Sequence, residues 1–368
     1  MAVDPDFDYE LLKRLTEARG VPGYEDRVRE IVREELSPHV DGLRTDAMGN
    51  VVGTVEGDSE YSVVVAAHMD EIGFMVTHVD DDGFLAVDSL GGFDPRVLKA
   101  QRVTVHTEVP GPEDSGVEGT ASRSDGDLPG VIGSAPPHTL DEEQREKTPK
   151  TEDVRIDLGL DAEAVEERVS PGDLVTMDQD TGIVGEHVTG KAIDNRVSVL
   201  ALIEAARRIE DPAVTVHFAA TVQEEVGLRG ARALGVDVDP DLAIALDTTV
   251  ANDVPGFGAE EHVTELGEGA GIKLKDSSVI TSPKVHRRLR EVAESEGIAH
   301  QFEVLPAGGT DTGGLQTSAG ATPVGAISFP TRYLHTVTES AHVEDVAAVI
   351  DLLTAFLDSE TGEGDYRL

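Results

Sequence analysis

A mixed β-sheet flanked by helices, interrupted by a small inserted β-barrel domain, is the α/β fold that the sequence predicts. Three observations predict it. Strand-like and helix-like runs alternate before residue 70 and again after about 172. Between those limits short β-like runs follow one another, with no convincing helix before DAEAVEERV. And the run SVVVAAH (62–68) is so continuously apolar that it reads as a strand buried on both faces.

Taken in order, residues 8–19 and 24–36 carry apolar side chains at helical spacing, and the turn-like GVPG between them makes a helical hairpin. Leu11, Leu12 and Leu15 mark the first helix; Val28, Ile31 and Val32 mark the second. Residues 50–55 and 62–67 read as strands. In the insert, 72–170, the strand candidates are GFMVTHV, FLAVDSL, RVTVHTEV and GVIGS, with Gly, Pro and Asp turns between them. The polar, glycine-rich PGPEDSGVEGTASRSDGD, 110–127, reads as an exposed loop. The alternation then resumes with a strand or loop at 183–190, a helix at 196–209, a strand at 213–222, a helical turn at 228–234 and a strand at 242–246. A helix at 284–296, strands at 301–305 and 324–328 and a helix at 343–357 complete it. Residues 1–71 and 171–368 therefore form one discontinuous domain around the insert.

Composition narrows the function. The 368 residues carry 72 Asp and Glu against 30 Lys and Arg, a formal charge of −42, and only eight of the cations are Lys. Such an excess repels phosphate backbones and anionic lipids, so neither nucleic acid nor membrane is an expected partner. The acids are spread along the whole chain, which makes the surface itself acidic, and that self-repulsion points to a halophilic source. Near 1 M salt the Debye length falls to about 3 Å. With no cysteine, disulfides, thiolate ligands and a Cys nucleophile are excluded, so any metal site uses His, Asp and Glu. The opening MAVDPDFDYE has no basic region or apolar run, and no stretch approaches about 20 apolar residues. A cytoplasmic protein is the expectation.

In open α/β sheets ligands gather beyond the carboxyl ends of the strands, and there the candidates lie. His68 closes SVVVAAH, Glu224 and Glu225 follow VTVHFAATVQ, and Asp247 closes LAIALD. Asp194 stands in GKAIDNR at the mouth of a helix, and His335 follows GAISFPTRYLH. Two His with several carboxylates suit a divalent ion such as Zn²⁺, Co²⁺ or Mn²⁺. A bridging carboxylate would hold two such ions about 3.5–4 Å apart. Asp70, on the same strand face as His68, is of the type that takes the second N–H of a ligating imidazole. Each residue also has a plainer reading: Asp194 as a helix N-cap, Asp247 as a turn former, His335 as a surface histidine, the glutamates as acidic decoration. Their joint placement at strand ends favours the chemical reading. Neighbouring strand residues point to opposite faces, so Glu224 and Glu225 imply two tasks.

In order along the chain, AHMDEIGFMV, GKAIDNRVSVLALIEA, QEEVGLRGA, ALDTT and PTRYLHT resemble the M42 family of aminopeptidases, and PGVIGSAPPH, GAGIKLKDSS and GGTDTGG are similar to family segments as well. The resemblance implies the dinuclear-metal peptidase fold and a metal-dependent aminopeptidase acting on short peptides. By position, His68 and Asp247 match the ligands of one ion, Glu225 and His335 those of the other, and Asp194 the carboxylate between them. Glu224 matches the general base and Asp70 the residue orienting His68. The resemblance implies two divalent ions per subunit, Zn²⁺ ahead of Co²⁺ or Mn²⁺. It further implies that the insert is a dimerisation domain and that dimers build a tetrahedral dodecamer. The chain departs from the family pattern after His335, where TVTES replaces a Ser-Pro continuation. Asp311 and Glu339 are candidates for the pocket lining or, equally, a turn residue and a solvated charge. A dimetal deacylase or carboxypeptidase on the same scaffold, and a catalytically silent assembly protein, are the rival readings.

Overall fold

The computed structural model describes residues 5–107 and 126–368. Most of the loop expected at 110–127 lies outside them. The described chain divides into two units. The first comprises 1–71, 181–334 and 338–368; the second comprises 72–180 and 335–337.

The first unit is built on an eleven-stranded mixed sheet. At its centre Ser62–His68 lies parallel to both Thr215–Thr221 and Leu242–Val250, and Leu242–Val250 is in turn parallel to Val324–Arg332. Antiparallel strands finish the edges: Val51–Val55 and Gly42–Thr45 on one side, Glu339–His342, His187–Gly190 and Gly182–Val184 on the other. Ala270–Lys275 branches from Val324–Arg332 and carries His300–Val304 at its own edge.

The central strand shows why its sequence lost the usual alternation. Val63, Val65 and Ala67 enter one apolar core with the helices Tyr9–Glu17, Asp26–Leu36, Ile193–Arg208 and Val343–Asp358, while Val64 and Ala66 enter a second core with Ala231, Leu234 and Leu315. Side chains still alternate between faces, but both faces are covered, so every position beyond Ser62 is buried. Ile193–Arg208 is buried from Ile193 to Ala206, as expected for a helix with apolar residues around most of its circumference.

The second unit is a closed six-stranded barrel. Its order is Gly73–Val79, Leu85–Leu90, Arg155–Asp157, Asp127–Ile132, Gln101–His106 and Leu174–Met177, which returns to the first strand. Inward residues such as Val103, Val105, Ile156 and Val175 form its core, and Phe74 stacks on Phe93 with centroids 4.6 Å apart. The closing strand lies beyond the insert boundary expected at 170. Leu174–Met177 pairs with both Gly73–Val79 and Gln101–His106, so the barrel runs to Met177 and its unit to 180, and the short segment 335–337 groups with that unit.

Candidate metal centre

Strand register sets the first two donors. Thr221 is the registered partner of His68, and Asp247 stands two residues past Ala245, the partner of Ala66, as His68 does on its own strand. His68, Thr221 and Asp247 thus stand level on three parallel strands, the third of which runs on to Val250, with His68 and Asp247 buried at the rim.

Glu224 and Glu225 come next along the chain, after a turn in which Gln223 adopts a left-handed φ of 55°. That turn is pinned twice. Both Asp70 carboxylate oxygens accept from it, Oδ1 from the Glu224 N–H and Oδ2 from the Glu225 N–H, each at 3.0 Å. Asn50 accepts from the Val222 N–H at 3.0 Å and donates to the Gly230 carbonyl at 3.0 Å. The bend lets two adjacent side chains, which a continuous strand would have sent to opposite faces, reach the same place.

Asp194 lies at the start of Ile193–Arg208, but neither it nor Asn195 has helical backbone angles. The regular helix therefore begins at 196, where the sequence places it. The Asp194 N–H donates to Glu339 Oε2 at 2.9 Å and the Asn195 amide to the Leu246 carbonyl at 3.0 Å. Glu339, a candidate for the pocket lining, thus grips the Asp194 backbone. Behind the rim, buried Glu71 accepts from Lys191 Nζ at 2.6 Å and from the Gly20 N–H at 3.1 Å, tying the segment after Asp70 to the segment before Asp194.

The structure brings His68 together with Asp194, Glu224 and Asp247. His68 Nε2 lies 3.4 Å from Asp194 Oδ1, 3.6 Å from Asp247 Oδ1 and 3.9 Å from Glu224 Oε2. Donor atoms of His68, Glu224 and Glu225 also fall within 4.8 Å of one another. On the other side of the ring, Nδ1 donates to the Asp70 carbonyl at 3.1 Å, with the Asp70 carboxylate at 3.5 Å. His335 belongs to the segment that groups with the barrel; it has a left-handed φ of 59°, and its Nδ1 lies 2.7 Å from the Gly92 carbonyl.

Charge explains what such a cluster needs. Burial alone would push the His68 imidazole down, but Asp194, Asp247 and Asp70 hold it well above its ordinary value. Burial drives Glu224 well above the carboxylate range, against the pull of His68 and with the help of Asp247, Glu225 and Asp311. Asp247 rises for the same first reason. Asp311 is buried with its Oδ2 accepting from the Thr221 hydroxyl and its Oδ1 without a hydrogen bond, and burial pushes it up to about 7. So many desolvated carboxylates around one imidazole are costly without compensating positive charge.

Divalent cations fit that requirement. Around a tetrahedral ion with bonds of about 2.0–2.2 Å, ligand atoms stand roughly 3.3–3.6 Å apart. The His68–Asp194 and His68–Asp247 separations, 3.4 and 3.6 Å, match this and exceed the length of a good hydrogen bond, at most about 3.2 Å. With Nδ1 engaged by a carbonyl that can only accept, Nε2 is the nitrogen directed at the carboxylates. Sequence reading missed Thr221 and Asn50. A hydroxyl one position before the end of an apolar run, and Asn50 opening the strand VVGTV, are the signals that could have found them.

Fold and donor set together define the class: a sheet-based enzyme with a candidate metal centre at the carboxyl ends of its central strands. The family model described as M42 glutamyl aminopeptidase matches residues 49–352. A lysyl aminopeptidase of Pyrococcus furiosus is 34% identical over 95% of this chain and 97% of its own length. A glutamyl aminopeptidase of Lactococcus lactis is 31% identical, covering 95% of this chain and 96% of that one. Among solved structures, the Pyrococcus horikoshii TET1 peptidase, which can assemble into a tetrahedron or a large octahedral shell, superposes with a TM-score of 0.83 at 34% identity, over 95% of this chain and 99% of that one. The chain belongs to the M42 family of aminopeptidases, which are metal-dependent.

Proposed function

We propose that this protein removes N-terminal residues from short peptides, with His68 and Asp247 holding one divalent cation, Glu225 and His335 a second, and Asp194 shared between them. The observation that carries the reading is the ring of carboxylate oxygens 3.4–3.9 Å from His68 Nε2. When bound, the cations supply a Lewis acid for the scissile carbonyl and acidify water at the site. The chain's residues do the rest. Glu224, whose raised proton affinity suits general base work, takes a proton from the attacking water at a carboxylate oxygen and returns it to the leaving amine. Asp70 fixes Glu224 through its backbone N–H while its own carbonyl fixes the His68 ring. The surrounding carboxylates attract the free α-ammonium of a substrate, which favours cleavage at the N-terminus.

Aminoacyl chromogenic substrates, with and without chelator and with Zn²⁺, Co²⁺ or Mn²⁺ restored, test this directly. Activity should vanish with chelation, return with metal and be absent on N-acetylated peptides. Turnover that survives exhaustive chelation, or prefers blocked N-termini, would point to different chemistry.

Assembly belongs to the same reading. We infer a cytoplasmic homo-oligomer in which the barrel unit joins subunits into dimers and dimers into a tetrahedral dodecamer, supported by the assembly of the TET1 neighbour. Among the described residues no helix is long and apolar enough to cross a membrane. With a formal charge of −42, subunits repel unless salt screens them. Sedimentation should show dissociation as molar salt is removed, and an unchanged profile would count against a halophilic source.

A further inference from the structure

The barrel unit holds a cleft of about 420 Å³, within the range of small-molecule sites. Phe84, one of the exposed large apolar side chains, supplies accessible apolar wall, and the barrel-core residues Leu98 and Ile132 also line the cleft. Lys99, Lys147, Lys150 and Arg155 stand around it. In a chain with 72 acidic and 30 basic residues, the cleft lining reverses the balance, with those four cations against Asp153 and Asp157, although Arg155 already donates to the Glu152 and Val154 carbonyls and stands 3.8 Å from Asp80. Both acids are already engaged. Asp153 accepts from Lys147 Nζ at 2.7 Å, and Asp157 accepts from the Gly159 N–H at 2.7 Å. Lys150 meets Glu152 at 3.2 Å on the exposed surface, a weak tie. The Lys99 ammonium has no hydrogen bond or ion pair among the described residues, and it is exposed.

We propose that this cleft binds a small organic dianion, a phosphate monoester or a dicarboxylate, carried on an apolar body. Lys99 and Lys150 meet the anionic head, and the apolar wall buries the body. Neither half is enough alone. Exposed ammonium groups are screened over roughly 3 Å at molar salt, so a bare anion binds weakly, while an uncharged apolar molecule gains nothing from the cations. The inference does not depend on the aminopeptidase reading, because none of these residues belongs to the metal centre.

Isothermal titration of the intact protein in its working salt, with phenyl phosphate, phenylsuccinate, inorganic phosphate and benzyl alcohol, decides the matter. Expected is saturable binding of phenyl phosphate or phenylsuccinate, whichever head the cleft prefers, at least tenfold tighter than inorganic phosphate or benzyl alcohol. Lys99→Glu with Lys150→Glu should weaken it tenfold or more, with the milder Lys99→Gln lying between, and peptide hydrolysis unchanged in all three proteins. Binding of neither compound, or equal binding in the double variant, overturns the proposal. So does a double variant whose sedimentation shifts while no anion binds, which would make the cleft a contact between copies of this chain.

Discussion

Each unit sets a histidine against acidic side chains, and the two do so in opposite ways. In the barrel, His106 Nδ1 lies 2.8 Å from Asp127 Oδ1 and its Nε2 lies 2.8 Å from the Thr176 hydroxyl. Both ring nitrogens are at hydrogen-bonding distance from a side chain, so the ring is satisfied by its surroundings. At the sheet rim, His68 Nε2 has Asp194, Glu224 and Asp247 around it at 3.4–3.9 Å, none close enough for a good hydrogen bond. The barrel histidine is a closed structural pair. The rim histidine surrounds a gap of the size a cation fills, and the number of carboxylates there far exceeds what one imidazole can neutralise. The same residue types therefore mean packing in one place and, on the proposed function, metal chemistry in the other, and spacing tells them apart.

The largest effect that could break this contrast lies in Glu224. Glu224→Gln keeps the shape of the rim and the backbone N–H that Asp70 holds, but removes the carboxylate proposed to move the proton. Turnover should fall by about 10²–10⁴, while metal content measured by plasma emission stays at the wild-type value. A variant that kept most of its turnover would remove Glu224 from the base role, and one that lost its metal would make it a ligand instead.

Much of the rim was legible in sequence because its donors sit at the ends of apolar runs: the strand that stops at His68 leaves that residue at the rim, and Asp247 ends the apolar run LAIAL although its strand continues to Val250. What stayed hidden depends on contacts across long stretches of chain. The grip of Glu339 on Asp194 spans 145 residues and the bond from Thr221 to Asp311 spans 90, so no local pattern announces either. The fold divides in the same way. The helices and the central strands follow their periodicity. The edge strand Gly42–Thr45 is mostly exposed, with no apolar face to read. Ala270–Lys275 buries Lys273 completely against Glu303 and Asp276, so a charge in mid-strand disguised it. The closing barrel strand Leu174–Met177 has only four residues, and its partners rather than its composition assign it to the barrel.

A smaller effect sharpens the rim's side of the contrast. Asp70 serves three atoms at once: its carbonyl takes the His68 Nδ1–H, and its two carboxylate oxygens take the Glu224 and Glu225 N–H groups. Asp70→Asn leaves one oxygen to accept and turns an amide N–H₂ against the other donor. Metal affinity, read by competition with a fluorescent chelator, should fall by about 10–100-fold. The carbonyl contact survives the substitution, so His68 keeps its tautomer and the loss reports on the glutamate turn. Glu339→Gln, which preserves an acceptor for the Asp194 N–H, should cost less than Glu339→Ala; equal affinity in the two would detach that contact from the centre.

The smallest effect belongs to the barrel, where the contrast predicts an ordinary structural outcome. Asp127→Asn weakens the contact with His106 without leaving the ring bare, because Thr176 remains at its other nitrogen. The variant should lose about 1–3 kcal/mol of stability, seen as a lower denaturation midpoint in high salt. Chelation should then lower the midpoints of variant and wild type by the same amount, since metal linkage acts through the rim and stabilises by mass action, about 4 kcal/mol at a metal concentration a thousandfold above its dissociation constant. The two changes should add, as they do for sites without shared partners. If the chelator shift disappeared in Asp127→Asn, His106 and Asp127 would be holding metal themselves, and a hydrogen bond of 2.8 Å could no longer be taken as the mark of a closed pair.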